Sequence, residues 1–129
     1  LKELKEMEAG RNHGIPNSNY FLVDRNERIV GMVTIRHSLN DYLHQVDGHI
    51  GAGIRPSERR KGYATFLLSE ALKITDQLGI RSVLVTCNRD NIGSAAVILK
   101  NGGVEDESFT EPNGNVIRRF WIERAVLKD

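Results

Sequence analysis

Arg59-Arg60-Lys61-Gly62-Tyr63-Ala64 lies between a predicted strand and a predicted helix in this chain of 129 residues. An apolar run from His49 to Ile54 precedes it, and apolar residues at helical spacing follow it from Tyr63 to Gly79. A basic loop that enters a helix presents unpaired backbone N–H groups and the positive end of the helix dipole. Such a junction binds anions, so the pattern predicts a site for the pyrophosphate of a nucleotide-like cofactor.

The composition indicates one soluble domain spanning residues 1–129. Its 40% hydrophobic and 27% charged residues are ordinary, and a net charge of +1 provides no overall field for nucleic acid or a membrane. The single cysteine, Cys87, excludes an internal disulfide and fits a reducing compartment. With no signal peptide and no membrane-length apolar run, we expect a cytoplasmic protein. The chain does not begin with Met, so we expect that part of a natural N-terminal segment is missing.

Two segments in the first half of the chain have patterns that predict short elements. Leu1, Leu4 and Met7 have helical spacing, which predicts the tail of an amphipathic helix before Gly10. In residues 37–48, Ser38 followed by Asp41 resembles a capping box, and apolar residues recur at helical spacing, which predicts a short helix or ordered loop. Because it joins two strands of the predicted sheet, this segment is a natural place for substrate contacts.

The rest of the chain predicts a mixed α+β sheet. The Asn113-Gly114 pair predicts the turn of a terminal hairpin. The run 82–87 predicts a buried strand that lies parallel to 49–54 through a right-handed helical crossover. The sheet is therefore mostly antiparallel with one parallel βαβ unit at its middle. Strands are predicted over 20–23, 29–36, 49–54, 82–87, 104–111 and 115–123, and helices over 63–79 and 94–101.

Three phosphate-binding patterns compete for the basic loop. A Walker loop requires Gly-Lys-Ser/Thr, whereas Lys61-Gly62 has the opposite order. A dinucleotide fingerprint requires a third glycine after Gly51 and Gly53, but Pro56 stands there. The third pattern is Arg/Gln-x-x-Gly-x-Gly/Ala, the signature of the GNAT superfamily of acetyl-coenzyme-A-dependent N-acetyltransferases. Arg59-Arg60-Lys61-Gly62-Tyr63-Ala64 resembles this signature. The resemblance extends from Tyr20 to Glu123 and implies the acyl-CoA N-acyltransferase fold, with helices on both faces of the sheet.

The resemblance also implies roles for particular residues. Backbone groups around Gly53 and Ile54 would pair with the pantetheine arm of acetyl-CoA, amides from Arg60 to Thr65 would hold the pyrophosphate, and Asn91 would contact the pantetheine. Arg59 also has a structural interpretation, as a cap or brace for the loop. The cofactor-binding residues so implied are Gly53, Ile54, Arg59, Arg60, Lys61, Gly62, Tyr63, Ala64, Thr65, Asn91 and Ser94.

The implied reaction is direct attack by a neutral amine, through a tetrahedral oxyanion, with loss of a thiolate. Many family members protonate that thiolate with a Tyr of the second helix, but Ile98 stands at the corresponding position. A non-catalytic acyl-CoA-binding or sensor domain is therefore the alternative. The general base is expected among His37, Asp47 and His49, with His49 preferred, although an isolated His at a strand start is more often structural.

The remaining expectations are simpler. A solvated turn without a ligand is the alternative interpretation of Arg55, Arg59, Arg60 and Lys61, but the glycine and helix that follow favour phosphate binding. Cys87 is expected in the core rather than as a nucleophile. The four His show no ligand spacing, so no metal is expected.

The acceptor is expected to be an amine-bearing small molecule or peptide, and a homodimer is one expected assembly. The resemblance usually includes a first strand and two helices before Tyr20, and this chain has room for only part of them.

Overall fold

Residues 3–125 are described by the computed structural model, and they contain one mixed sheet with two α-helices. The helices are α1 (Tyr63–Gln77) and α2 (Ile92–Lys100), with a π-helical turn at Leu43–Asp47 and a 3₁₀ turn at Pro56–Glu58. The strands are β1 (Glu3–Glu6), β2 (Gly10–Asn12), β3 (Ile15–Val23), β4 (Ile29–Arg36), β5 (Ile50–Ile54), β6 (Ser82–Asn88), β7 (Val104–Thr110) and β8 (Val116–Glu123).

The strand order confirms the predicted architecture. The sheet runs β1-β3-β4-β5-β6-β8-β7, with β2 paired to β3 as a side hairpin. Among the strands of residues 3–125, only β5 and β6 are parallel, and α1 connects them; the other pairings in this range are antiparallel. The single crossover unit therefore lies at the middle of the sheet, as the sequence predicts.

Helical segments cover both faces of the sheet. On one face, α1 and α2 bury a core that includes Leu68 and Ile98 against Val83 and Val85 of β6. Residues of β6 alternate between faces, so Leu84 points to the other side. There the π-helical turn covers the sheet with Leu43 buried, and Thr86 Oγ1 donates a hydrogen bond of 2.7 Å to its Val46 carbonyl. None of the helices in residues 3–125 is long and apolar enough to cross a membrane.

The predicted N-terminal helix is wrong. Glu3–Glu6 forms a strand paired with β3, in which Leu4 lies opposite Leu22 and packs against the core. The Met7 amide extends this pairing with a 2.8 Å bond to the Asn19 carbonyl. Two apolar residues three apart fit a short edge strand as well as a helix, so the spacing could not distinguish them. Leu1 lies outside the described residues.

The predicted short helix or ordered loop at residues 37–48 is confirmed as the π-helical turn. Its cap differs from the predicted one, because the Leu43 amide donates to Asn40 Oδ1 at 3.0 Å and the His44 amide to the Asn40 carbonyl. Ser38 therefore does not form the capping box. Gly48 ends the turn with φ +66°.

Candidate functional site

The parallel pairing between β5 and β6, called here the β5–β6 seam, is closed at one end only. Ile50 opposite Val85 is the one paired position of the two strands. Just before it, the His49 amide donates to the Leu84 carbonyl at 2.8 Å, and the Leu84 amide donates to His49 Nδ1 at 2.9 Å. A buried imidazole therefore joins the two strands at the closed end.

Beyond Ile50 the two strands diverge, and the seam is open. The Arg55 amide donates to the Val30 carbonyl at 2.7 Å. In the β4–β5 register, the odd-numbered residues of β5 are therefore the ones that hydrogen-bond to β4. Because alternate residues of an antiparallel ladder bond to the partner strand, the backbone groups of Ala52 and Ile54 face away from β4. Gly53 and Ile54 are the residues predicted to pair with pantetheine. Ile54 presents its amide to the opening, whereas Gly53 faces β4, opposite Met32. Ala52 presents another, which sequence reasoning missed.

The predicted loop leads from the open seam into α1. Gly62 is the N-cap of α1 at φ +81°, and no side chain caps this helix N-terminus. The first turn holds no acidic residue, and a Cβ built on Gly62 would meet no atom within 4 Å. The start of a 15-residue helix therefore opens onto free space, with the helix dipole directed at it. Ala64 and Thr65 lie in its first turn.

Charged side chains around this loop are arranged unequally. Arg59 and Arg60 are exposed, and Arg60 adopts φ +63°, which is unusual for a residue with a side chain. Glu58 is buried and holds two cations, Arg28 from the β3–β4 turn and Lys61, whose Nζ lies 3.2 Å from Glu58 Oε1. Bonding to Lys61 lowers the pKa of Glu58 despite its burial. The sequence singled out the cations but not the carboxylate that positions them.

A cleft of about 410 Å³ lies beside the loop. The loop residues Lys61 and Tyr63 contribute to it, and most of its lining is polar. Its lining residues are Asp24, Arg25, Asn26, Arg28, Glu58, Lys61 and Tyr63. The β3–β4 turn therefore forms a second wall next to the predicted phosphate loop.

The start of α2 lies at the same edge of the sheet as the start of α1, because each helix follows the carboxyl end of one of the parallel strands β5 and β6. Asn91 is the N-cap of α2, and its Oδ1 accepts a hydrogen bond of 3.0 Å from the Ser94 amide. The carboxamide nitrogen remains available for another acceptor. Ile98 is buried in the core and carries no proton donor, so the departure from the family pattern persists in the fold.

Among the three candidate bases, His49 is the most strongly perturbed. Burial, followed by the positive charges of Arg36 and His44, lowers the pKa of His49 to about 4. The imidazole is therefore neutral near pH 7. Its Nδ1 accepts the Leu84 amide, so the ring proton resides on Nε2. To act as a base, His49 would first have to release the Leu84 amide.

The other two candidates differ in their surroundings. His37 Nε2 lies 2.7 Å from Ser18 Oγ, in a pair joining the ends of two strands. Asp47 is half-buried at the end of the π-helical turn, and its carboxylate makes no hydrogen bond within residues 3–125. Its negative charge is the main cause of a raised pKa at Tyr42. Asp47 therefore keeps an available lone pair that His49 lacks.

Two further sequence expectations concern reactive groups. Cys87 is confirmed as a core residue, and burial raises the pKa of its thiol. Within residues 3–125 there is no group of three or more His, Cys, Asp or Glu side chains arranged to hold a metal ion.

Comparison with known proteins places this geometry in context. A family model described as the acetyltransferase (GNAT) domain matches residues 3–104. No curated protein matches the chain in sequence. A solved structure of a candidate phosphinothricin N-acetyltransferase is 23% identical, with a TM-score of 0.71, and the match covers 91% of this chain and 76% of the other.

Two other solved structures share the fold at lower identity. A dodecameric spermidine N-acetyltransferase from Vibrio cholerae is 16% identical with a TM-score of 0.74, and the match covers 95% of this chain and 94% of the other. A candidate acetyltransferase from Acinetobacter baylyi ADP1 is 13% identical with a TM-score of 0.68, covering 83% and 63%. The family match spans the seam, the basic loop and α1, and the chain therefore belongs to the GNAT acetyltransferase family.

Proposed function

We propose that this chain transfers the acetyl group of acetyl-CoA directly to a primary amine. The observation that carries the proposal is the continuous path from the open half of the β5–β6 seam to the uncapped N-terminus of α1. Extended backbone with unused amides suits the amide-containing pantetheine arm, and a helix start without acidic residues suits its pyrophosphate. Both features lie in the residues that the family match covers.

The residues divide the binding of acetyl-CoA between them. Amides of Ala64 and Thr65 in the first turn of α1 would donate to the pyrophosphate, and Gly62 leaves room for its approach. Arg59 and Arg60 add exposed positive charge. Along the seam, Ala52 and Ile54 would hydrogen-bond the pantetheine. The remaining wall is the start of α2, where Asn91 and Ser94 would contact the same arm.

Acetyl transfer requires specific proton movements. The amine nitrogen forms a bond to the acetyl carbonyl carbon, the carbon–sulfur bond breaks, and the amine gives up a proton. The structure favours Asp47 over His49 as the first acceptor of that proton, because the Nδ1 lone pair of His49 is already engaged. An amide of the open seam would stabilise the carbonyl oxygen as its negative charge develops. The thiolate takes its proton from water, since Ile98 offers none.

A second candidate function is binding of an acyl-CoA without catalysis. The observation in its favour is Ile98, which is buried where many family members carry the acid. Both functions predict cofactor binding, and only the first predicts release of free coenzyme A. The use of acetyl-CoA and the single buried cysteine support a cytoplasmic location, and a homodimer stays a prediction.

The experiment that separates these functions is a thiol-release assay after calorimetry with acetyl-CoA. Amines of different charge serve as acceptors: spermidine, phosphinothricin, amino sugars, amino acids and short peptides. Transfer to any of them above the rate of hydrolysis supports the enzyme. Binding of acetyl-CoA without release of thiol for every acceptor would favour the sensor, and absence of binding would contradict both.

A further inference from the structure

Arg36 is a buried cation beside the open half of the seam. It ends β4, and only 8% of its surface is exposed. The Nη1–Nη2 end of its guanidinium points at Gly51, because a Cβ at Gly51 would be 3.0 Å from Nη2 and 3.3 Å from Nη1 but 3.6 Å from Cζ. Ile50 belongs to the core on the α1 face, so Gly51 and Arg36 lie on the opposite face of the sheet.

The hydrogen bonds of Arg36 use one edge of the guanidinium only. Nη1 donates to the carbonyls of Asp47 at 3.0 Å and Gly48 at 3.3 Å. Nε is buried and has no partner, and Nη2 makes no hydrogen bond with any residue in 3–125. Arg36 also belongs to none of the ion pairs within that range. Its Nε and Nη2 donors are therefore both unused, and Nε lies out of contact with solvent.

Other arginines of this chain show what that edge holds when it is filled. Arg118 uses Nε and Nη2 to bind both oxygens of Glu105 at 2.7 and 2.9 Å. Arg124 binds Asp76 in the same way at 2.9 and 3.0 Å. Arg119 is as buried as Arg36, yet its Nε donates to the His44 carbonyl and its Nη1 to a carboxylate. Arg36 is thus the buried arginine in residues 3–125 whose fork has no partner in the chain.

Neighbouring groups do not neutralise this charge. The register partner of Arg36 is Asn17, whose Oδ1 already accepts bonds from the Gly10 amide and from Asn19. Burial lowers the pKa of Arg36, and the negative charge of Asp47 offsets this only in part. Asp47 is close enough to interact electrostatically but does not pair with it. The positive guanidinium of Arg36 and the unpaired carboxylate of Asp47 therefore lie near each other beside the seam.

We infer that the Nε–Nη2 edge of Arg36 binds the carboxylate of the acceptor, and that the acceptor is an amino acid. The inference rests on the proposed function, which puts the acetyl group beside Ala52 and Ile54. Gly51 lies one to three residues from those positions, or roughly 3–10 Å along the strand. An amino acid spans this distance with its carboxylate on Arg36 and its amine at the acetyl group. Asp47 then faces the amine as the acceptor of its proton.

The same arrangement excludes polyamines as good substrates. A cationic chain would leave Nε and Nη2 without an acceptor and would bring a second positive charge to a buried guanidinium that pairs with no carboxylate, which is unfavourable. An amino-acid amide would leave the fork partly unsatisfied. Because such a site rejects analogues that lack the matching group, we expect free amino acids to exceed their amides roughly 100-fold in kcat/KM.

The test compares the pool of common L-amino acids with the pool of their amides and with spermidine. Thiol release is measured for the wild type, Arg36→Gln and a control, Arg124→Gln, which removes an exposed fork that already has its partner. The inference predicts a preference for the amino-acid pool in the wild type and the control. Arg36→Gln loses this preference through KM while its affinity for acetyl-CoA is unchanged. Equal loss of kcat for all acceptors, or a preference for amides or spermidine, would overturn it.

A second measurement does not depend on catalysis. In a ¹H–¹⁵N spectrum, the Arg36 Nε–H signal, assigned by its absence in Arg36→Lys, is followed in the presence of acetyl-CoA. The signal is expected to shift on addition of the amino-acid pool and to stay in place with the amide pool. An unmoved signal would refute the amino-acid site even if acetyl transfer to another amine were found. A shift without thiol release would instead refute the proposed function alone.

Discussion

The two ends of the β5–β6 seam are built in opposite ways. At the closed end, a buried His49 side chain and a glycine join the strands tightly. At the open end, Ala52 and Ile54 have no partner on β6, and the nearest helix begins without a side-chain cap. Backbone amides left unpaired are costly unless water or a ligand satisfies them. The closed end therefore supplies stability, and the open end is where the proposed function puts the cofactor.

The largest expected effect comes from forcing the closed end apart with Gly48→Ala. A Cβ there would lie 2.5 Å from the Leu84 carbonyl oxygen, and Gly48 has φ +66°. The clash is with backbone, so neither partner can move aside cheaply. We expect a loss of about 3 kcal/mol or more in the free energy of unfolding, measured by urea denaturation.

A matched control separates the clash from backbone strain. Gly114→Ala changes a glycine of similar positive φ, +89°, whose Cβ would meet no atom within 4 Å. It should cost only about 1 kcal/mol. If the two variants unfold at the same urea concentration, the close approach at Gly48 does not matter for stability.

The next effect concerns pH at the closed end. The pKa of His49 is about 4 in the folded protein, below its ordinary value, so the unfolded chain binds the proton more readily. The stabilisation is therefore present above about pH 6.5 and lost as pH falls towards 4. The loss should reach roughly 2–3 kcal/mol. Carboxylates such as Asp76, whose pKa is lowered by Arg124, lose their stabilisation only at more acidic pH.

His49→Asn tests this assignment. Its side-chain oxygen can still accept the Leu84 amide but does not titrate, so stability should stay level between pH 6.5 and 4.5. A slope identical to the wild type would place the titrating group elsewhere. His49→Ala should lower turnover more than affinity for acetyl-CoA if His49 contributes to catalysis; unchanged turnover and pH profile would exclude that role.

The smallest effect concerns the wall of the open end. Asn91→Ala removes the cap of α2 and should cost about 1 kcal/mol of stability, whereas Asn91→Asp keeps the capping oxygen and the stability. Both variants lack the amide nitrogen proposed to contact pantetheine. Both should therefore bind acetyl-CoA roughly fivefold more weakly in calorimetry. Weaker binding by Asn91→Ala alone would mean that Asn91 acts only through the helix.

The open end was far more predictable from sequence than the closed end. Its features are local: a strand, a glycine between basic residues and a helix start all lie within residues 49–79. The parallel crossover and the terminal hairpin follow from equally local patterns and are confirmed. Local turn chemistry and periodicity are what sequence reasoning evaluates best.

The closed end depends on contacts between distant residues. His49 meets Leu84 35 positions away, and Arg28 reaches Glu58 across 30. The unused Nε and Nη2 donors of Arg36 result from hydrogen bonds that the fold does not make. No spacing of residues in the sequence predicts them. The prediction of an N-terminal helix was wrong for a related reason, because pairing with the distant strand β3 determines the conformation of Glu3–Glu6.

Calorimetry with acetyl-CoA on a pair of glycine variants tests the central claim most directly. Gly62→Val and Gly79→Val alter glycines at opposite ends of α1, with φ of +81° and +78° and no atom within 4 Å of either Cβ. Both should lose similar stability. The account predicts that Gly62→Val binds acetyl-CoA at least about 100-fold more weakly while Gly79→Val matches the wild type. Equal affinity of the two variants would contradict it.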